Sequence, residues 1–200
     1  VYMNLSVGFM SSVLGGIGVI AYLAAPFLEE NKKAFYARLL SQAFFGLMFF
    51  YIGCLAGVSY YAFLLLSGLF QKQIEHNKIV SIVYGMIAMA VTFFVNNTGY
   101  SGIVLAVSLF LIFLPINEDT MLTTTSYIDV LTSLALAYYS LNVKAWVSLV
   151  FAIILLLIAV AGLVSNIKLS RAGGLQAVER EEMEYQRKKA QNKKNRKIGR

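Results

Sequence analysis

Pro26-Phe27-Leu28-Glu29-Glu30 closes the first long apolar run of this chain, and Pro115-Ile116-Asn117-Glu118-Asp119 closes a later one, 89 positions on. The chain has 2 prolines, and each motif contains one of them. A proline lacks the N–H that an inner helical turn needs, so each marks a bend or an end. Glu29 and Glu118 follow their prolines at the same distance. The same offset pairs Leu47 with Leu136, Phe50 with Tyr139, Ala56 with Ala145 and Ser59 with Ser148. The spacing therefore predicts two copies of one unit. In membrane proteins, repeated units commonly flank a solute path.

Composition sets the surroundings. The 200 residues are 58% hydrophobic and 14% charged, with a mean hydropathy of +0.69. A soluble domain of this size cannot bury so much apolar surface, so lipid is the expected solvent. The first run has no basic segment before it and is not a short apolar region followed by a small-residue cleavage site, so it reads as a spanning helix rather than a signal peptide. The net charge of +7 belongs to the tail, where residues 168–200 alone sum to the same value.

A spanning helix needs about 20 apolar residues. Seven are expected: Met3 to Leu28, Ala34 to about Ile52, about Cys54 to Phe70, Ile79 to Val95, Tyr100 to Ile116, Thr123 to Leu141, and Val143 to Ile167. Gly53 and Gly57 are the expected turn between helices two and three. Asn96, Asn97, Thr98 and Gly99 mark another. In the first helix, Gly8, Ser12 and Gly16 form a small-residue stripe suited to close packing.

The fold class expected is thus all-α and polytopic. Residues 1–71 form a first three-helix unit, 72–98 a linker helix, 99–167 a second unit, and 168–200 a basic tail. Lys32, Lys33, Arg38, Lys72, Lys78 and the eleven basic residues of the tail fall on one side, and Lys144 alone on the other. Basic residues favour the cytoplasmic face. The N-terminus is therefore expected outside and the tail inside. Because the linker crosses once, the two units are expected to be parallel, related by an axis along the membrane normal.

The arrangement of three helices, a linker and three helices, with a proline near one end of each unit's first helix, resembles the SWEET and PQ-loop superfamily over about residues 3–167. Within that superfamily the chain looks most like bacterial YgjV-type inner-membrane proteins. That likeness lies in the glycine-rich first helix, Asn31-Lys32-Lys33, Leu39-Leu40-Ser41-Gln42 and Phe49-Phe50-Tyr51-Ile52-Gly53. Riboside carriers of the PnuC type share the layout. Phe27 and Ile116 stand where PQ-loop proteins have glutamine. The resemblance implies a bacterial cytoplasmic-membrane carrier of an unidentified small solute, working by alternating access. The other reading is a non-transporting scaffold or receptor whose tail recruits a cytoplasmic partner.

Few residues within the runs carry chemistry. Asp129 is the acidic residue set well inside a predicted span, where a carboxylate usually faces the bundle interior or water. It is a substrate or ion candidate with Ser59 and Ser148; the alternative is a hydrated or paired group near the helix end. Arg38 either snorkels to lipid phosphate or neutralises Glu29 or Asp129. Pro26 and Pro115 are hinge candidates or simple helix stops. Glu29, Glu118 and Arg38 are gate candidates, or solvated loop charges. The doublets Tyr60-Tyr61 and Tyr138-Tyr139 read as interfacial aromatics, or as stacking surfaces for a ring-shaped solute.

Cys54 is the sole cysteine and excludes an internal disulfide. His76 has no second ligand nearby, so no metal site is expected. No nucleophile–base pair, phosphate loop or dinucleotide fingerprint is present. Neither catalysis nor a cofactor is expected. The tail suits anionic lipid or an acidic partner, with a helix expected over residues 178–191, and homo-oligomerisation stays open.

Overall fold

The computed structural model describes residues 2–28, 31–115 and 121–171, and these are helical with no strand. The helices are α1 (Tyr2–Ala24), α2 (Asn31–Tyr51), α3 (Leu55–Leu69), α4 (Gln71–His76), α5 (Lys78–Phe94), α6 (Tyr100–Ile112), α7 (Met121–Asn142) and α8 (Trp146–Arg171). The all-α expectation holds. Short α4 interrupts the expected linker, and α8 runs to Arg171, past the expected end at Ile167. The expected tail helix lies outside the described residues.

Val7–Phe27 and Trp146–Lys168 are long and apolar enough to cross a membrane. Leu55–Leu69, Lys78–Phe94 and Tyr100–Ile112 are apolar but shorter. α6 stops at Ile112, four residues before its expected end. The cause is local: the residue preceding a proline disfavours helical geometry, and Leu114 precedes Pro115. Pro115 thus lies beyond its helix, while Pro26 sits in a 3-10 turn, Ala25–Phe27.

Sequential helices pack side by side, α1 on α2, α2 on α3, α6 on α7 and α7 on α8. Two seams join the halves, α3 against α6 and α8 against α1. The six helices therefore form a ring in which α2 and α7 stand opposite each other. α5 packs on both α3 and α6 and covers their seam. Asn77 starts α5 as its N-cap, its side-chain oxygen accepting from Ile79 N at 3.0 Å and Val80 N at 3.4 Å.

The two halves share one turn motif. Between α2 and α3, Cys54 N donates to Phe49 O at 2.9 Å and Gly53 N to Phe50 O at 3.0 Å. Between α7 and α8, Ala145 N donates to Ser140 O at 2.9 Å and Lys144 N to Leu141 O at 3.3 Å. These are Schellman closures, each with a left-handed residue at its corner. Gly53 has φ 73° and Lys144 has φ 57°. The turns correspond at an offset of 91 positions, two more than the prolines. The second half holds its two extra residues between Pro115 and Lys144.

Gly57 is not part of the turn. It lies inside α3, where a Cβ would sit 2.5 Å from the Phe49 ring. Its N–H, free in the first turn of the helix, donates to Tyr139 Oη at 2.9 Å. Asn97, from the α5–α6 loop, accepts from Leu55 N at 3.0 Å and donates to Gly53 O at 2.6 Å. One distant helix and one distant loop thus satisfy the start of α3.

The stripe at Gly8, Ser12 and Gly16 does not mediate packing. Nothing lies within 4 Å of a Cβ built on Gly8 or Gly16. α1 docks instead through Ser11, Gly15 and Gly18, all buried. Met48 and Val147 lie against Gly15, and the Phe45 ring against Gly18. Bulky side chains from α2 and α8 need glycine there, whereas Gly8 and Ser12 border a cavity between α1, α2 and α8.

The outer surface is apolar around the ring. Phe9, Ile20, Phe50, Ile79, Phe94, Val150 and Ile158 are all exposed. Such a continuous apolar exterior exceeds what a soluble monomer shows and is what association with a membrane requires.

Candidate functional site

The buried side chains of α2, α3 and α8 concentrate toward the end that carries the two Schellman turns, here the turn end, where a cavity of about 220 Å³ is lined by Gly8, Ser12, Met48, Lys144 and Trp146 among others. On α2 the buried residues are Ser41, Phe45, Met48 and Phe49; none is buried among described side chains of the helix before Ser41. On α3 none is buried after Tyr61, and on α8 none after Ala152. The opposite end, where Ala25, Ile74 and Phe113 are buried, is bounded by Leu28, the α3–α5 connection and Pro115, and α8 leaves from it; it is the tail end.

Between these ends lies an aromatic layer. Phe45 stacks on Tyr61 at 5.1 Å and on Phe151 at 4.7 Å. Phe49 stacks on Tyr61 at 5.7 Å and meets Tyr139, from the opposite wall, at 5.5 Å. Offset and edge contacts of this kind add stability beyond area burial. Tyr60, Tyr61 and Tyr139 are buried here, which corrects the interfacial reading of the doublets for all but exposed Tyr138. The layer still has an unsatisfied polar group, since Tyr61 Oη is buried without a hydrogen-bond partner among the described residues.

Arg38 and Asp129 lie on the bundle side of their helices, yet both are exposed. At 3.6 residues per turn, Asp129 falls between buried Ser126 and Ser133 on the stripe that continues to Leu136 and Ser140. The outward face of α7 carries Tyr127, Leu131, Leu134, Tyr138 and Leu141 instead. Arg38 precedes buried Ser41 and Phe45 by one and two turns. The outward face of α2 carries Tyr36, Leu40, Leu47 and Phe50. A side chain on the inner arc that still meets solvent lines an opening between helices. Neither charged group has a hydrogen-bond or ion-pair partner among the described residues. Both positions lie toward the tail end, Arg38 on the inner arc of α2 and Asp129 on that of α7.

At the same end, a cavity of about 290 Å³ is lined by Gln42, Ser67, Gln71, Ser81, Ile112 and Phe113 among others. Ser81 Oγ donates to Phe113 O at 2.7 Å. Gln42 Oε1 is buried without a partner among the described residues. Its position one turn after Arg38 in an apolar run was the available sequence signal.

The remaining candidates are separated. Ser59 is hydrogen-bonded to Thr92 of α5 at 2.9 Å, and Ser148 to Ser140 at 2.8 Å. Each hydroxyl joins two helices rather than meeting Asp129. Pro26 and Pro115 sit exposed at the tail end, outside α-helix. Glu29 and Glu118 lie outside the described residues. No group of three metal-ligating side chains occurs among the described residues. Comparisons with family models, with functionally described proteins and with solved structures gave no match.

Proposed function

We propose that this chain is an integral membrane carrier of a small solute, with seven spans built as two parallel three-helix repeats and a linker, 3+1+3. The observation that carries this reading is the solvent-accessible placement of Arg38 and Asp129 on the inner arcs of opposite helices. A closed scaffold has no use for a hydrated cleft, whereas a carrier holds one open to one side at a time. Exchange of the two units interchanges the α3–α6 and α8–α1 seams, as an axis along the membrane normal would. The layout is the one that resembles the SWEET and PQ-loop superfamily and its YgjV-type members.

Three helices fall short of a full hydrocarbon thickness. Their ends are reached by local bilayer thinning and by flanking residues, each at modest cost. Exposed Tyr100 and Trp146 suit the interface at the turn end. The basic partition supports a tail end in the bacterial cytoplasm, with the cleft opening there and the turn end outside.

The test is thiol accessibility in a Cys54→Ser background, in right-side-out and inverted vesicles. An impermeant maleimide should label Asp129→Cys and Arg38→Cys from the tail side and leave Phe94→Cys unlabelled. Reporter fusions at Thr98 and Arg200 should report opposite sides. Labelling of Asp129→Cys from neither side, or both reporters on one side, would sink the proposal.

A further inference from the structure

We propose that Arg38 and Asp129 are the two poles of a binding site for a small zwitterionic solute, the guanidinium receiving its carboxylate and the Asp129 carboxylate its ammonium group. The inference rests on the carrier reading above and narrows it to a substrate class.

Three independent observations place the two charges as a pair. The first is the shared turn motif. Gly53 corresponds to Lys144 and Phe49 to Ser140, at an offset of 91, and the same offset carries Arg38 onto Asp129. The two charges thus occupy one position in the two halves. The second is the ring. α2 and α7 stand opposite each other, and their inner faces meet through Phe49 and Tyr139 at 5.5 Å. Arg38 lies eleven residues from Phe49 and Asp129 ten residues from Tyr139, both toward the tail end. At 1.5 Å per residue these are descents of about 16 and 15 Å. The two charges therefore sit at one depth on facing walls. The third is their state. Both are exposed on inner arcs, and neither has a partner among the described residues.

Charges within a membrane bundle are rare and pair with one another, with water or with a ligand. Here the walls present one positive and one negative group, and the two sum to zero. A cation alone would leave Arg38 uncompensated when water is expelled, and an anion alone would leave Asp129 so. A neutral sugar would leave both. A solute with one charge of each sign satisfies both groups on closure without the two having to meet, because an unpaired desolvated charge is costly. Guanidinium and carboxylate match in fork geometry, which favours a carboxylate on the Arg38 side.

The experiment uses the full chain reconstituted in liposomes and measures counterflow of four labelled probes: a mixture of neutral L-amino acids with glycine betaine, putrescine, succinate, and sorbitol. The zwitterion mixture is expected to exchange, with N-acetyl amino acids and amino-acid methyl esters at 100-fold excess failing to compete. Arg38→Gln and Asp129→Asn should each lower that exchange at least tenfold, and Arg38→Lys should retain part of it. Gel filtration and thermal melting of the purified variants separate lost binding from lost folding. Exchange of putrescine, succinate or sorbitol alone overturns the substrate class and leaves the carrier. Zwitterion exchange that survives both substitutions overturns the site. No exchange of any probe overturns this inference and leaves the carrier reading to the accessibility test above.

Discussion

Replacing Tyr139 by Phe removes one oxygen from the interior and nothing else. The ring is fully buried and its contact with Phe49 at 5.5 Å does not involve the hydroxyl, so packing is retained. The loss falls on Gly57, whose N–H donates to Tyr139 Oη at 2.9 Å. That N–H lies in the first turn of α3, where no helical carbonyl is available to it. Leaving a buried donor unsatisfied costs about 1–3 kcal/mol. For a chain of this length, 1 kcal/mol moves the melting point by about 2–4 °C. The expected fall is therefore about 2–12 °C, read by tryptophan fluorescence or a thiol-reactive dye during heating in mild detergent. Tyr138→Phe is the matched control: its ring is exposed, and no change is expected. A Tyr139→Phe variant that melts with the parent, or a Tyr138→Phe variant that falls equally, would refute the account of how α3 is started.

Two further outcomes follow from the turns. Lys144→Gly should stabilise by about 0.5–1 kcal/mol and Gly53→Ala destabilise by about 1 kcal/mol in the same melting assay, because both positions are left-handed; opposite signs would refute the shared motif. Asn97→Ala should cost about 1–2 kcal/mol by removing the bonds to Gly53 O and Leu55 N, and Asn97→Asp, which keeps an acceptor for Leu55 N–H, should fall between the two.

Much of the chain's order was readable residue by residue. Pro26, Pro115, Gly53 and the Asn96–Gly99 cluster act through local backbone geometry, so they marked helix ends to within a few positions. Arg38 and Asp129 stood out because charges within apolar runs need no partner to be noticed. What stayed hidden was direction. An apolar helix that meets lipid on one side and a core on the other has little periodicity to separate them. Gly8-Ser12-Gly16 and Ser11-Gly15-Gly18 are equally good stripes on paper, and only the Phe45 ring and the Met48 thioether choose between them.

The sequence by itself determined that the chain is helical and apolar outside as well as inside, since these follow from composition and from breakers that act locally. Only the tertiary structure decided the register of the halves, because the offset of 91 is set by hydrogen bonds closing two turns, while the prolines sit in loops of unequal length. Only the ring placed Arg38 opposite Asp129, and only packing assigned Ser59 to Thr92 and Ser148 to Ser140. Those partners are 33 and 8 residues apart in the chain. Which hydroxyl spends its hydrogen bond on a neighbouring helix, and which charge is left to face water, is decided by how helices meet.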